Sequence, residues 1–368
     1  MLTYSTAGES HGKCLIALVE GLPHGLTIDE ELINAELARR QGGYGRGGRM
    51  NIESDRVQIL TGVRKGHTIG SPVTLLISNR DSRIDSAPPV TQPRPGHADL
   101  AGMQKYGIDD ARDILERASA RETAARVAAG ALARLLISEV GIEVVGYVMR
   151  IGPVQIRPPD MGAEELRRAR DESETYCPDP EATDRMKKEI DAARDDGDTL
   201  GGLVEVIAFG VPPGLGSHGQ WREKLDGRLA RAVMSVQAIK SVEIGMGREV
   251  AAARGSDVHD EIVPDESGRP ARLTNRAGGI EGGITNGCPV VVRAAMKPIP
   301  TLMRPLRTID VQTGQPADAS TERSDVCAVP AASVVVENVV AFELAAAVME
   351  RIGGDSIDEM RRRAASSA

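Results

Sequence analysis

The sequence predicts a fold of mixed helices and strands organised around a buried central helix, and three observations predict it. Within residues 116–137, Ala124, Ala128, Ala131, Leu132, Leu135 and Leu136 recur at three- and four-residue spacings among good helix formers. Its small residues Ala124, Ala125, Ala128, Ala129, Gly130 and Ala131 let a neighbouring backbone or ligand approach closely. A second, longer apolar run at 331–352 reads as another helix, and short apolar stretches bounded by glycine and proline read as strands.

Taken in order, residues 2–6 and 14–19 read as strands joined by the turn Ala7-Gly-Glu-Ser-His-Gly12, which presents His11. Ser10 and His11, adjacent in sequence, make a poor nucleophile–base pair. Residues 27–40 predict a helix opened by Thr27-Ile-Asp-Glu30. It leads into residues 39–50, with four arginines and five glycines in twelve positions. Glycines let backbone N–H groups converge on an anion, and arginines offer planar forks to phosphate or carboxylate. The spacing is not that of a Walker A loop. Strands follow within 57–77, with His24 and His67 read as surface loop residues. The rigid turn Pro93-Arg-Pro-Gly-His-Ala-Asp99 then carries Arg94, His97 and Asp99 out of regular structure. At the start of the central helix, Arg117, Ser119 and Arg121 bring cations and a hydroxyl to free backbone N–H groups.

Beyond that helix, residues 142–151 read as a strand and 155–198 as a polar, weakly helical surface excursion with solvated charges. Residues 203–208 and 238–244 read as strands, with a helix over 225–236. Residues 253–273 read as an exposed hairpin or loop. The glycine cluster at 275–287 lacks the spacing of a dinucleotide-binding turn. Lys297-Pro-Ile-Pro-Thr301 is a stiff turn at a strand end, and 303–322 reads as a long mobile loop that delivers Arg323 and Asp325. The tail after residue 352 is expected to fray.

Composition narrows the function classes. Aromatic residues are 2% of the chain and the net charge is −8, which argues against stacking platforms and duplex binding. No cluster of carboxylates or histidines suggests a metal site, so none is expected. Cys14, Cys177, Cys288 and Cys327 are widely spaced in a chain too long to need disulfides, and read as free thiols in a reducing compartment. No apolar run reads as a membrane span and the N-terminus lacks signal-peptide features, so a cytoplasmic location is expected.

The motifs GESHG, GGYGRGGRM, RPGHAD, RASARETAARVAAGAL, NRAGGIEGG and RSDVCAVPAA, in this order from residue 8 to residue 332, closely resemble those of chorismate synthases. The resemblance implies an α+β fold, with a helical layer sandwiched between antiparallel β-sheets and 1–368 forming one domain. It implies a homotetramer, a tendency that the apolar residues Val334, Val335, Val339, Val340 and Leu344 would also serve. The implied reaction converts 5-enolpyruvylshikimate 3-phosphate to chorismate and phosphate, using reduced FMN without net redox change. Transferred by motif, Arg40, Arg46, Arg49, Arg94, Ser119, Arg121 and Arg323 would bind substrate, and Arg40 and Arg46 are also candidates for NADPH. The flavin would be held by Arg117, Ala118, Ser119, Gln237, Ala238, Gly282, Lys297, Pro298, Ile299, Pro300, Thr301 and Arg323. By the same resemblance His11 protonates the leaving phosphate, His97 protonates the reduced flavin, and Asp325 acts with the flavin N5 in taking the C6 proton. NADPH as reductant and an external flavin reductase both stay open.

Overall fold

The computed structural model describes residues 1–47, 54–321 and 324–367, so Arg49 and Arg323 lie outside the described residues. One antiparallel sheet has the strand order Thr3–Gly8, Cys14–Glu20, Val73–Ser78, Val57–Thr61. Its pleat puts Leu15, Ala17 and Val19 opposite Ile77, Leu75 and Val73, and all six are buried on one face. A second antiparallel sheet runs Ile239–Ile244, Val290–Met296, Gly202–Phe209, Glu143–Ile151, Val154–Gln155.

Two helices fill the space between the sheets. The alanine helix, Thr123–Ser138, packs on the first sheet, and the valine helix, Val329–Arg351, packs on the second. They meet where Gly130 has no side chain: a Cβ there would stand 2.4 Å from the Asn338 carbonyl oxygen. The expected α+β arrangement of helices between antiparallel sheets is therefore present.

Several local expectations are corrected. The central helix is not continuous from residue 116. Arg112–Ala118 forms one helix, Ser119 is extended, and the 3₁₀ turn Ala120–Glu122 leads into the alanine helix. The Ser119 hydroxyl accepts the Arg121 N–H and caps the new start, so Arg117 lies at the end of the shorter helix. The helix Glu30–Gln41 is capped by Asp29, not Thr27: Asp29 accepts from the Glu31 and Leu32 amides.

The polar excursion forms two helices, Ala163–Asp171 and Pro180–Asp195, whose Leu166, Met186 and Ile190 join the main core. Not all its charges are solvated, because Arg170 is buried against Glu337. In place of a long irregular loop, 303–322 contains the hairpin Arg307–Ile309 and Pro316–Asp318, tied to the proline-rich segment through Thr308 to Pro93 and Val311 to Thr91. The tail is helical over Ile357–Ser367, anchored by buried Ile357 and Met360.

The valine helix corrects two further readings. It is long and apolar enough to cross a membrane by length and composition, yet 89% of that window is buried inside the fold. Val334, Val335, Val339, Val340 and Leu344 are all buried within the chain, so they leave no spare apolar stripe for a second subunit. The argument for a tetramer from this helix therefore fails.

Candidate active site

Loops and helix ends enclose a cavity of about 430 Å³. Each chemical element of its wall comes from a different part of the chain. The turn after Thr3–Gly8 brings Ser10 and His11, and the proline-fixed turn brings Arg94 and His97. The helix break brings Ala118, Ser119 and Arg121, and the segment before the valine helix brings Asp325. Arg40 and Arg46, Gln237 and Ala238, and Lys297, Ile299, Pro300 and Thr301 complete the wall. All three catalytic candidates thus meet in one cavity.

Three flavin candidates do not line it. The Arg117 guanidinium donates to the carbonyls of Thr6 and Gly8, Gly282 turns the short hairpin Ile280–Glu281 and Ile284–Thr285, and Pro298 is exposed.

Both histidines are held by the same device. His11 Nδ1 is 2.8 Å from Glu116 Oε1, and its own amide donates to Glu116 Oε2 at 2.7 Å. Burial alone would raise Glu116, yet its bonds to His11 hold it below the ordinary glutamate value. The carboxylate therefore fixes an Nδ1–H tautomer and leaves Nε2 as the exchanging atom, with Asp81 3.8 Å from it. His97 Nδ1 likewise contacts Asp99 Oδ1, and Asp99 also accepts from Arg94 Nε at 2.8 Å. Against burial, His97 and Arg94 push Asp99 well below the usual carboxylate range. Asp99 is the first residue of a helix, Asp99–Tyr106, that begins where the sequence suggested only a loop.

Cations dominate the lining. Among the described residues Arg40, Arg46, Arg94, Arg121 and Lys297 face the cavity, against the carboxylate Asp325. Arg40 donates to Thr123 Oγ1 and the Ala120 carbonyl, and Arg121 Nη1 pairs with buried Asp55 at 2.7 Å. Burial, only partly offset by Asp55 and reinforced by Arg121 and Arg46, pulls Arg40 down to about 9. Lys297 is lowered by burial and then by Lys240. Arg46 Nη1 and the Gly47 amide occupy the two oxygens of Asp325, each at 2.6 Å. Asp325 thereby holds the arginine loop. Arg40, Arg94 and Arg121 are buried, and with Arg46 and Lys297 they outnumber the paired carboxylates Asp55, Asp99 and Asp325, a balance that suits a bound anion.

The rest of the wall suits a flat, partly apolar ring system. Val236, Ala238, Met296, Ile299 and Pro300 supply apolar surface. Gln237 Nε2 donates to Glu122, but its buried Oε1 has no hydrogen-bond partner among the described residues. An orphaned acceptor of this kind fits a ring N–H of a bound cofactor. Ala238 holds a left-handed backbone, φ +66°, a strain that tends to gather at functional sites. These features fit a flavin. Among the described residues no group of His, Cys, Asp and Glu could hold a metal ion.

Sequence reasoning missed the residues that act through others. Glu116 stood at the head of the central stretch without a role, and its partner His11 lies 105 positions away. Asp55, which pairs Arg121, carried no motif signal. Asp99 had one, since its place two residues after His97 lets it reach the ring.

The family model described as chorismate synthase matches residues 2–349. The chorismate synthase of Desulforudis audaxviator is 60% identical over 98% of this chain and 95% of its own length. That of Geobacter sulfurreducens is 57% identical over 98% of this chain and 97% of its own. A solved structure titled as the crystal structure of chorismate synthase superposes with a TM-score of 0.81 at 44% identity, covering 98% of this chain and 96% of that one.

Proposed function

The chain belongs to the chorismate synthase family and is a lyase, and from that premise we propose that its cavity binds 5-enolpyruvylshikimate 3-phosphate beside reduced FMN and releases chorismate and phosphate. The observation that carries this reading is the lining of five cations against one carboxylate among the described residues, which suits a substrate with one phosphate and two carboxylates. The apolar wall, Gln237 Oε1 and Ala238 would hold the flavin ring, and Lys297 and Thr301 would meet its polar groups. When bound, reduced FMN would supply electron density that eases phosphate departure without net redox change.

The chain's own residues do the proton work. His11 gives a proton from Nε2 to the leaving phosphate, and Glu116 stabilises the imidazolium before transfer. His97, backed by Asp99, holds a proton on Nε2 toward the cofactor. Asp325 takes the C6 proton. Its oxygens are engaged by Arg46 and Gly47, so a substrate anion that draws Arg46 away would free one of them for this task. In sum the C3–O and C6–H bonds break and a ring C=C bond forms.

Anaerobic phosphate release tests the reading. It should require both reduced FMN and the enolpyruvyl substrate; release without flavin, or none with both present, would overturn it. We also infer a cytoplasmic homotetramer in aromatic amino acid biosynthesis, with 1–368 acting as one domain. Monomers by light scattering across the micromolar range would contradict that assembly. Arg40 and Arg46 are assigned to the substrate, and binding assays with NADPH would reveal a second role or a need for a partner reductase.

A further inference from the structure

The loop that carries Arg46 is held from outside the cavity by the helical excursion, whose sequence carries no motif. Tyr44 is the point of attachment. Its hydroxyl donates to Asp191 at 2.9 Å, and its amide donates to the Glu174 carbonyl at 2.7 Å. Lys187 Nζ lies 4.9 Å from the ring centroid and the Arg194 guanidinium 5.8 Å from it. Those cations are fixed in turn, Lys187 by Glu174 and Arg194 by Asp191 at 2.6 Å. On either side of Tyr44 the backbone is confined. Tyr176 Oη donates to the Arg39 carbonyl at 2.8 Å, and a Cβ on Gly45 would stand 3.0 Å from both Cys327 and Ile190. The Gly45 carbonyl accepts the Val326 amide at 2.9 Å, which ties the loop to the segment bearing Asp325.

We propose that Tyr44, clamped by Asp191, Lys187 and Arg194 of the excursion, is a positioning residue that sets Arg46 and through it Asp325 at the substrate site. The proposal rests on the functional reading above. A guanidinium must hold its fork within a fraction of an ångström to bind an anion through two bonds, and a glycine-rich loop cannot supply that precision alone. The helix Pro180–Asp195, with Glu174 just before it, supplies it by holding the Tyr44 ring, hydroxyl and amide. The excursion is therefore the outer support of the anion site.

The test uses the full chain with Tyr44→Phe, which removes the bond to Asp191, and Tyr44→Leu, which also removes the ring. Tyr44→Leu should lower kcat/KM for the substrate roughly tenfold with FMN affinity unchanged, and Tyr44→Phe should fall between it and the parent. In an Arg46→Ala background, Tyr44→Leu should cost little more, because the residue it positions is gone. A full additive loss in that background, or an equal loss of FMN affinity, would overturn the proposal. Hydrogen exchange at the amides of residues 44 and 47, which donate to Glu174 and Asp325, reads the clamp without any substrate. Exchange at least about tenfold faster in Tyr44→Leu supports it, and unchanged exchange overturns it. Should the parent release no phosphate, the functional reading falls while the exchange result still decides the clamp.

Discussion

Arg39 and Arg40 are neighbours in sequence, Arg40 buried and the Arg39 side chain only 10% exposed, yet they belong to opposite kinds of charge network. Arg39 reaches Glu36 at 2.5 Å and Glu337 at 2.6 Å, in a group completed by Arg134, Arg170 and Asp171. Three cations there meet three carboxylates, on four different helices. Burial pulls Arg39 down, but Glu337 and Glu36 more than compensate and hold it above its ordinary value. Arg40 is shifted the other way, because burial and neighbouring cations outweigh Asp55. The first network is balanced in charge, whereas the second lacks an anion that a ligand can provide. Charge balance around a buried arginine, more than its burial, separates a structural role from a binding one.

The largest expected effect lies on the open side. Asp325→Asn should lose about a hundredfold or more in turnover, with a larger isotope effect from substrate deuterated at C6. Turnover within a few-fold of the parent would leave Asp325 only as the anchor of Arg46. Next, Arg46→Ala should weaken substrate roughly tenfold to a hundredfold and FMN much less, with partial rescue by Lys, which lacks the planar fork. An unchanged substrate affinity would remove this arginine from the binding set.

A smaller effect tests the closed side by pH. Burial alone would raise Glu36, but Arg134, Arg39 and the Asn338 hydrogen bond hold it at about 2 against an ordinary 4.5. A carboxyl with a depressed folded value contributes stability that is present above about pH 4.5 and is lost as pH falls toward 2. The unfolding free energy of the parent in urea should therefore drop more steeply through that window than that of Glu36→Gln, by up to about 1.4 kcal/mol per pH unit. Parallel slopes would mean that the network does not hold Glu36 ionised.

Much of the site was legible because its residues sit in unusual local sequence. The turn carrying His11, the proline-fixed turn carrying His97 and the stiff Lys297–Thr301 segment all reach the cavity as their motifs suggested. Pairings across long sequence distances were not legible. Nothing local distinguishes Arg39 from Arg40, or points Glu116 at His11. The break at Ser119 was hidden for a related reason, since Ala and Arg on both sides favour helix and only the hydroxyl cap interrupts it. The excursion's apolar contacts, Leu166, Met186 and Ile190, are too sparse among charges to betray that it is packed.

Replacing each neighbouring arginine by Met, and melting the protein with and without FMN and substrate, tests the contrast most directly. Ligands bound only by the folded state at a hundred times their Kd should stabilise the parent by about 2.7 kcal/mol. Arg39→Met should lose roughly 3 to 5 kcal/mol of stability, because it strands buried carboxylates, and should keep most of the ligand increment. Arg40→Met relieves cation crowding, so it should melt near the parent temperature without ligand and lose most of the increment. The contrary result is an Arg40→Met protein that loses stability but responds fully to ligand, which would make Arg40 structural and the cation excess irrelevant to binding.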